Sequence, residues 1–384
     1  MEIMMERTPV EVFSPGELIK DEIEARGWSQ IELAEVLGRP GRLISELIAG
    51  KRAITPETAK ALGQAFGTGA QFWLNMESSY QLSKVKGDGS NAVARRAKLY
   101  EMAPVKEMTR RSWIQPTDNI DVLEKSVCSF YGKPHLDAPI PRLAHAARKS
   151  SSYEEITAPE AAWLCRVRQL AEVMEVRSFS EMAFASVFGQ LKTMLRDADA
   201  VRQVPAALAS AGVRFLIVET LPSTRIDGVC FWLNADAPVI ALSLRYDRID
   251  AFWHTLLHEC AHVKYKDGLT GEINIDTDLV GEDADSSAAK PEAEVKADEF
   301  ASGFSIPKIE LDGFIARVRP LFSKTRIQAF AAKLNVHPGL VVGQLQYRKM
   351  IPYSHSREML ARIRPILTEV ALTDGFGSIL SNAH

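Results

Sequence analysis

Five residues of this 384-residue chain carry a pattern with chemistry in it: His258-Glu259-Cys260-Ala261-His262. From Ile249 onward apolar residues recur at Ile249, Phe252, Trp253, Leu256, Leu257 and Cys260, the three-and-four spacing of a helix with one buried face. On that helix His258 and His262 stand one turn apart on the same side and could grip one metal ion together. Glu259, the next residue round, would reach a water on that ion. H-E-x-x-H on a helix is the zinc-hydrolase pattern of two imidazole ligands and a general base. The bland alternative is a helix with two surface histidines, so a third ligand has to be found elsewhere.

The metzincin extension would need Gly at 265 and His at 268; the chain has Tyr265 and Gly268, which excludes it. Residues 291–304 instead predict a second helix, opened by Pro291, with Ala293, Ala297, Phe300, Ala301 and Phe304 as its buried stripe. Its alanines would allow close approach to the first helix. Glu294 and Asp298 stand one turn apart at the edge of that stripe. Glu294 is the candidate third ligand, and Asp298 the acceptor for the remaining ring N–H of a ligand histidine, His258 first. Glu292 and Glu272 are rivals, but neither has a carboxylate one turn on. Taken singly, Glu294 and Asp298 also fit an ordinary solvated helix face. Three protein ligands would leave a fourth position open for water, the mark of a catalytic rather than a structural zinc site. Zn²⁺ so held would polarise a scissile carbonyl and acidify a water, with Glu259 passing the proton to the leaving amine.

These residues bring a family into view. The runs Gly228-Val-Cys-Phe-Trp-Leu, Pro238-Val-Ile-Ala-Leu-Ser-Leu-Arg-Tyr and Phe252-Trp-His-Thr-Leu-Leu-His-Glu-Cys-Ala-His resemble the ImmA/IrrE zinc metallopeptidases. Glu294-Val-Lys-Ala-Asp-Glu-Phe-Ala is similar to that family's ligand helix, and Val336 to Tyr347 extends the likeness. Over roughly 200–365 the resemblance implies a gluzincin-like α+β domain and an endopeptidase that cuts helix-turn-helix repressors, releasing stress or mobile-element genes. His254 departs from the family's usual aromatic. One turn before His258, it could contact substrate, compete for metal or stand solvated. A group that steadies the tetrahedral oxyanion is sought among Tyr246, His254, Tyr265, His337 and Tyr347, with His254 and Tyr265 preferred.

The N-terminal end carries different chemistry. Ser14-Pro15-Gly16-Glu17 and Ser29-Gln30-Ile31-Glu32 are capping boxes, Thr55-Pro56 opens a further helix, and Gly27 and Gly38 punctuate between them. The spacing predicts helices over 15–26, 29–37, 40–49 and 56–66, the short succession of the helix-turn-helix class. In the third, Ile44, Leu47 and Ile48 face the core. Arg42, Ser45 and Glu46 face outward, with Lys51 and Arg52 just beyond, well placed for phosphates. Gln30, Arg42, Ser45, Lys51 and Arg52 are the candidate DNA contacts.

The string from Leu33 through Ala59, ending in Phe72-Trp-Leu-Asn, resembles the HigA-type antitoxins of the XRE repressor family over about 10–82. That resemblance implies operator DNA as a partner. Gly41 and Leu43 stand where arginine is common, which weakens the case for strong base readout. Charge speaks in the same direction: residues 1–82 hold eight Lys/Arg against twelve Asp/Glu, whereas a strong DNA binder shows a basic footprint. Residues 83–115 reverse the balance, eight against three, and fit either backbone contacts or a solvated linker helix. A small helical protein-interaction module is the alternative for 10–82.

Hydrophobic residues make up 46% of the chain and its formal charge is −3, which gives material for two or three cores in a soluble protein. No stretch approaches the ~20 apolar residues of a membrane span, and the N-terminus is no signal peptide. Cys128, Cys165, Cys230 and Cys260 are scattered without a C-x-x-C, which fits a reducing cytoplasm. Between the two ends, 83–200 has helical periodicity and little chemistry; Trp163, Val167, Leu170, Ala171 and Met174 form one face and 182–195 another. Gly87–Ser90 and Lys149–Ser152 are predicted linkers.

Strands are predicted over Val213–Glu219, Gly228–Leu233 and Val239–Leu244, and 267–289 as a mobile loop beside the metal cleft. The fold class expected is mostly α with an α+β C-terminal part. Its parts are a helix-turn-helix domain at 10–82, a helical connecting region at 83–200, the peptidase-like domain at 201–365 and a tail at 366–384. The expected function joins the two ends: a cytoplasmic regulator, with Zn²⁺ as cofactor, operator DNA and a helix-turn-helix repressor or antitoxin as partners, and a homodimer to suit a palindromic site. The competing expectation is an antitoxin-like repressor whose metal domain senses or folds around zinc without hydrolysis.

Overall fold

Ser14 Oγ accepts the Glu17 N–H while the Glu17 carboxylate accepts the Ser14 N–H, and Ser29 with Glu32 repeats the exchange. Each pair satisfies two backbone donors that an incipient helix leaves open. Helices Pro15–Ala25, Gln30–Leu37, Gly41–Ile48 and Pro56–Phe66 follow, within a residue or two of the sequence expectation. A fifth, Ala70–Lys84, completes the set. The computed structural model describes residues 13–84, 88–140, 147–149, 156–269, 273–281 and 290–375.

Gly38, at φ +61°, ends the second helix in the left-handed region. Gly16 is dictated by packing: a Cβ there would collide with the carbonyl oxygens of Ile48 and Leu47 in the third helix. Ile19, Leu33, Ile44, Leu62 and Trp73 are fully buried between these helices. The Trp73 indole N–H donates to Thr68 Oγ1 at 2.8 Å, so the largest core side chain buries no unpaired donor.

Residues 1–94 and 95–384 form separate compact units. The second is built on a six-stranded mixed sheet whose strands are β1 (Ala147–Lys149), β2 (Arg214–Ile217), β3 (Ile226–Trp232), β4 (Pro238–Leu242), β5 (Ile273–Thr277) and β6 (Leu372–Thr373). Their order is β1-β5-β3-β4-β2-β6. β3 runs antiparallel to both neighbours, while β1–β5, β4–β2 and β2–β6 are parallel. Side chains alternate across the sheet. Phe215, Ile217, Cys230, Trp232, Ile240 and Leu242 enter one core together with the helix Ile249–Tyr265. Leu216, Val229, Phe231, Val239, Ala241 and Ile275 enter the other, beneath helices Ile120–Tyr131 and Ala158–Val173. With both faces covered, the strands read as apolar runs rather than as alternating patterns.

Five expectations need correction. The region 83–200 is no separate connector, because from Arg95 onward it shares a unit with the sheet and supplies β1 and the second helical layer. Its apolar faces found a sheet to cover instead of one another: Trp163 is fully buried and its indole N–H donates to Val218 O at 2.9 Å. Arg111 likewise donates to the Glu219 and Thr220 carbonyls, at 2.6 and 2.7 Å. The expected tail begins as structure, since Leu367 and Ala371 are buried, β6 pairs with β2, and Asp374 accepts from the Trp113 indole N–H; 376–384 lie outside the described residues.

The expected loop 267–289 contains β5. Its Gly, Asp and Ser content masked the Ile-Asn-Ile-Asp-Thr alternation; 270–272 and 282–289 lie outside the described residues. Of the predicted linkers, Asp88 to Ser90 open the helix Asp88–Met102 and Lys149 belongs to β1; Gly87 and 150–152 lie outside the described residues. Met182, counted on a buried face, is 85% exposed, whereas Val187, Leu191 and Met194 of the same helix are buried. Among the described residues no helix is long and apolar enough to cross a membrane.

Candidate metal centre and nucleic-acid interface

Helix Ile249–Tyr265 is buried over most of its length, with Trp253, Leu256, Leu257 and Cys260 fully enclosed. Helix Glu292–Ser305 lies against it through Ala297 and Ala301, both fully buried. Small side chains bring the two backbones close, and polar groups on the facing edges converge. A third helix, Pro338–Tyr347, packs through Gly339 and Gly343, where any Cβ would collide with Ile249 and Asp250.

His258 Nδ1 lies 3.0 Å from Asp298 Oδ1, and His262 Nδ1 lies 2.9 Å from Asp267 Oδ2. An ionised carboxylate only accepts, so both Nδ1 atoms carry protons and the two Nε2 lone pairs are left for other partners. Those Nε2 atoms are 3.0 Å apart and point at one region. Glu294 Oε2 closes on it, 3.1 Å from His258 Nε2 and 3.7 Å from His262 Nε2. Its other oxygen is buried without a hydrogen-bond partner. Two imidazole Nε2 atoms and a buried carboxylate aimed at one point could together hold a divalent metal ion, and their chemistry fits zinc.

Electrostatics agrees with the geometry. Burial works to lower His258, but Asp276, Asp298 and Glu294 outweigh it and raise the imidazole to about 10. Burial is likewise outweighed at His262 by Asp267 and Glu294, which lift it to about 11. Against the cost of burial, the same imidazoles hold Glu294 well below the usual carboxylate range. The surrounding carboxylates favour positive charge here, which protons or a divalent cation could supply. Glu259 is fully buried, with the Asp276 carboxyl as its hydrogen-bonding neighbour. Burial first, then the neighbouring Asp276, pushes it well above the ordinary glutamate value. Strand β3 makes room for it at Gly228, where a Cβ would collide with Glu259 Oε1.

The structure thus brings together His258, Glu259, His262, Glu294 and Asp298. Glu292 is exposed and pairs with Lys296, and Glu272 lies outside the described residues. His254, half-buried, sits 3.6 Å from Asp298 Oδ1 and lines an open cleft of about 520 Å³ with Arg248, Leu279, Gln344, Tyr347 and Tyr353. Tyr265 is exposed at the helix end and does not line that cleft. His337 is a helix cap, its Nδ1 accepting the Gly339 N–H at 3.0 Å, and Tyr246 packs over Gly281. Of the five candidates only His254 and Tyr347 face the cleft.

Two acids escape the sequence reading. Asp267 follows the helix across a left-handed Lys266, a turn that spacing alone does not reveal. Asp276 is 1% exposed, with Oδ2 3.7 Å from His258 Nε2; the alternation within β5 was its signal.

In the first unit the helices Gln30–Leu37 and Gly41–Ile48 present Gln30, Arg42 and Ser45 exposed, and Lys51 and Arg52 are exposed in the segment that follows. Ile44 and Leu47 are buried and Ile48 partly so. Glu46 takes both nearby arginines, Arg42 Nε at 2.7 Å and an Arg52 Nη at 3.4 Å. In the free protein this surface is partly self-neutralised.

Compared with known proteins, residues 19–73 match the family model described as helix-turn-helix. The chain is 34% identical over 89 residues to Virulence-associated protein I of Dichelobacter nodosus, covering 23% of this chain and 82% of that protein. It is 31% identical over 72 residues to the uncharacterized HTH-type transcriptional regulator YddM of Escherichia coli (strain K12), covering 19% and 77%. Among solved structures, an addiction module antidote protein of the HigA family from Coxiella burnetii is 30% identical, with 22% of this chain and 95% of that chain covered and a TM-score of 0.21.

Proposed function

This chain belongs to the helix-turn-helix family through residues 19–73, and on that premise we propose a DNA-binding transcriptional regulator whose second unit is a zinc-dependent endopeptidase. One observation carries the enzymatic half: the Nε2 atoms of His258 and His262 and the Glu294 carboxylate converge in one buried cluster, with the buried Glu259 next to His258 on the same helix. Bound zinc would supply Lewis acidity toward a peptide carbonyl and acidify water. Asp298 and Asp267 hold the two imidazoles in the ligating tautomer and orientation. Glu259, dry and adjacent, takes a proton from the attacking water and returns it to the leaving nitrogen. His254 and Tyr347 line the cleft where a substrate segment would lie.

The ImmA/IrrE and gluzincin-like reading of the second unit belongs to this proposal, as does the substrate class, a helix-turn-helix repressor or antitoxin. Operator DNA is the partner of the first unit, and a two-fold homodimer would match a palindromic operator. The buried free thiols of Cys128, Cys165, Cys230 and Cys260 suit the cytoplasm. A repressor with a sensory metal domain is the second reading, and the buried Asp276 beside the ligands favours it. Glu259→Gln decides between them: zinc retained, with cleavage of helix-turn-helix repressors reduced about 10²–10⁴-fold, supports the peptidase. Cleavage unchanged in that variant, or absent from the wild type, rejects it.

A further inference from the structure

We propose that Asp276 is a fourth protein ligand, so that the metal centre is coordinatively closed in the resting protein; this rests on the metal reading above. Strand alternation carries the first step. Ile275 faces the core on the far side of the sheet, so Asp276 faces the metal helix. The register pairs Asp276 with Gly228, which sets the carboxylate beside the recess that holds Glu259.

Distances carry the second step. One donor atom each from His258, His262, Asp276 and Glu294 lie within 4.8 Å of one another, and all four residues are buried. Tetrahedral zinc with bonds of about 2.0–2.1 Å needs donor–donor edges of about 3.3–3.4 Å. Four of the six edges, His258–His262, His258–Glu294, His262–Glu294 and His258–Asp276, measure 3.0, 3.1, 3.7 and 3.7 Å, on both sides of that value, and the two others that involve Asp276 lie within 4.8 Å. Glu259 stands outside the four.

Charge is compatible with this: two neutral imidazoles and two carboxylates balance a divalent ion in the inner shell, while Asp298 and Asp267 hydrogen-bond to the far side of the rings and Lys290 pairs with Asp298. The structural consequence is a latch. A peptide carbonyl reaches the ion only if the Asp276 carboxylate withdraws or the shell expands to five.

The test uses the full chain loaded with Co²⁺, read by visible absorption, with azide as the exogenous ligand. Wild type is expected to bind one Co²⁺ with a four-coordinate spectrum that azide does not move. Asp276→Ala is expected to bind Co²⁺ more than about tenfold more weakly and to shift its bands on azide addition. A wild-type spectrum that azide shifts overturns the inference and leaves the metal reading standing; it also decides the matter if the variant fails to fold. Unchanged Co²⁺ affinity in Asp276→Ala overturns it too, making Asp276 a neighbour of Glu259 only. Absence of bound Co²⁺ in the wild type overturns the metal reading itself.

Discussion

Gly228 shows how much of the proposed chemistry would depend on one missing methyl. The Glu259 carboxylate occupies the space a β3 side chain would take. Gly228→Ala is expected to displace Glu259 while leaving His258, His262 and Glu294 in place. Metal content should therefore be retained and cleavage should fall by about 10²-fold or more, measured as zinc per chain beside proteolysis of a helix-turn-helix substrate. At this scale the sequence was informative where chemistry follows helical spacing. His258, Glu259, His262, Glu294 and Asp298 were legible because one turn of helix fixes which residues are neighbours. Asp267 and Asp276 were not, since a left-handed turn and a strand register placed them.

Elements follow the same division between local and long-range information. The capping boxes at Ser14 and Ser29 are local, and the helices they open lie where spacing put them. β5 pairs with strands far away in the chain, and its composition imitates a loop. Helix packing in the first unit depends on Gly16, whose Cα approaches the end of the third helix too closely for any side chain. Gly16→Ala is expected to destabilise that unit by about 1–3 kcal/mol, read by chemical denaturation. The third helix has its own control in Glu46, which occupies Arg42 and Arg52. Glu46→Gln is expected to free both for phosphates, raising operator affinity and steepening its salt dependence in gel-shift titrations. Unchanged affinity would favour a protein-interaction role for this face.

The whole molecule comprises two compact units with separate cores. The sequence marked the first unit and the metal helices well, because both are written in short-range patterns. It divided the second unit wrongly, since helices from 95–200 and the segment before 375 fold onto one sheet, and no local pattern tells an amphipathic helix what it will cover. The central claim is that His258, His262 and Glu294 hold one zinc ion in this second unit. Its most direct test is metal content of the purified full chain beside His262→Ala, by elemental analysis after extensive dialysis. One zinc per wild-type chain, lost in His262→Ala while that variant stays folded, is the expected result. A wild type without stoichiometric zinc, or a His262→Ala protein that keeps it undiminished, would contradict the account.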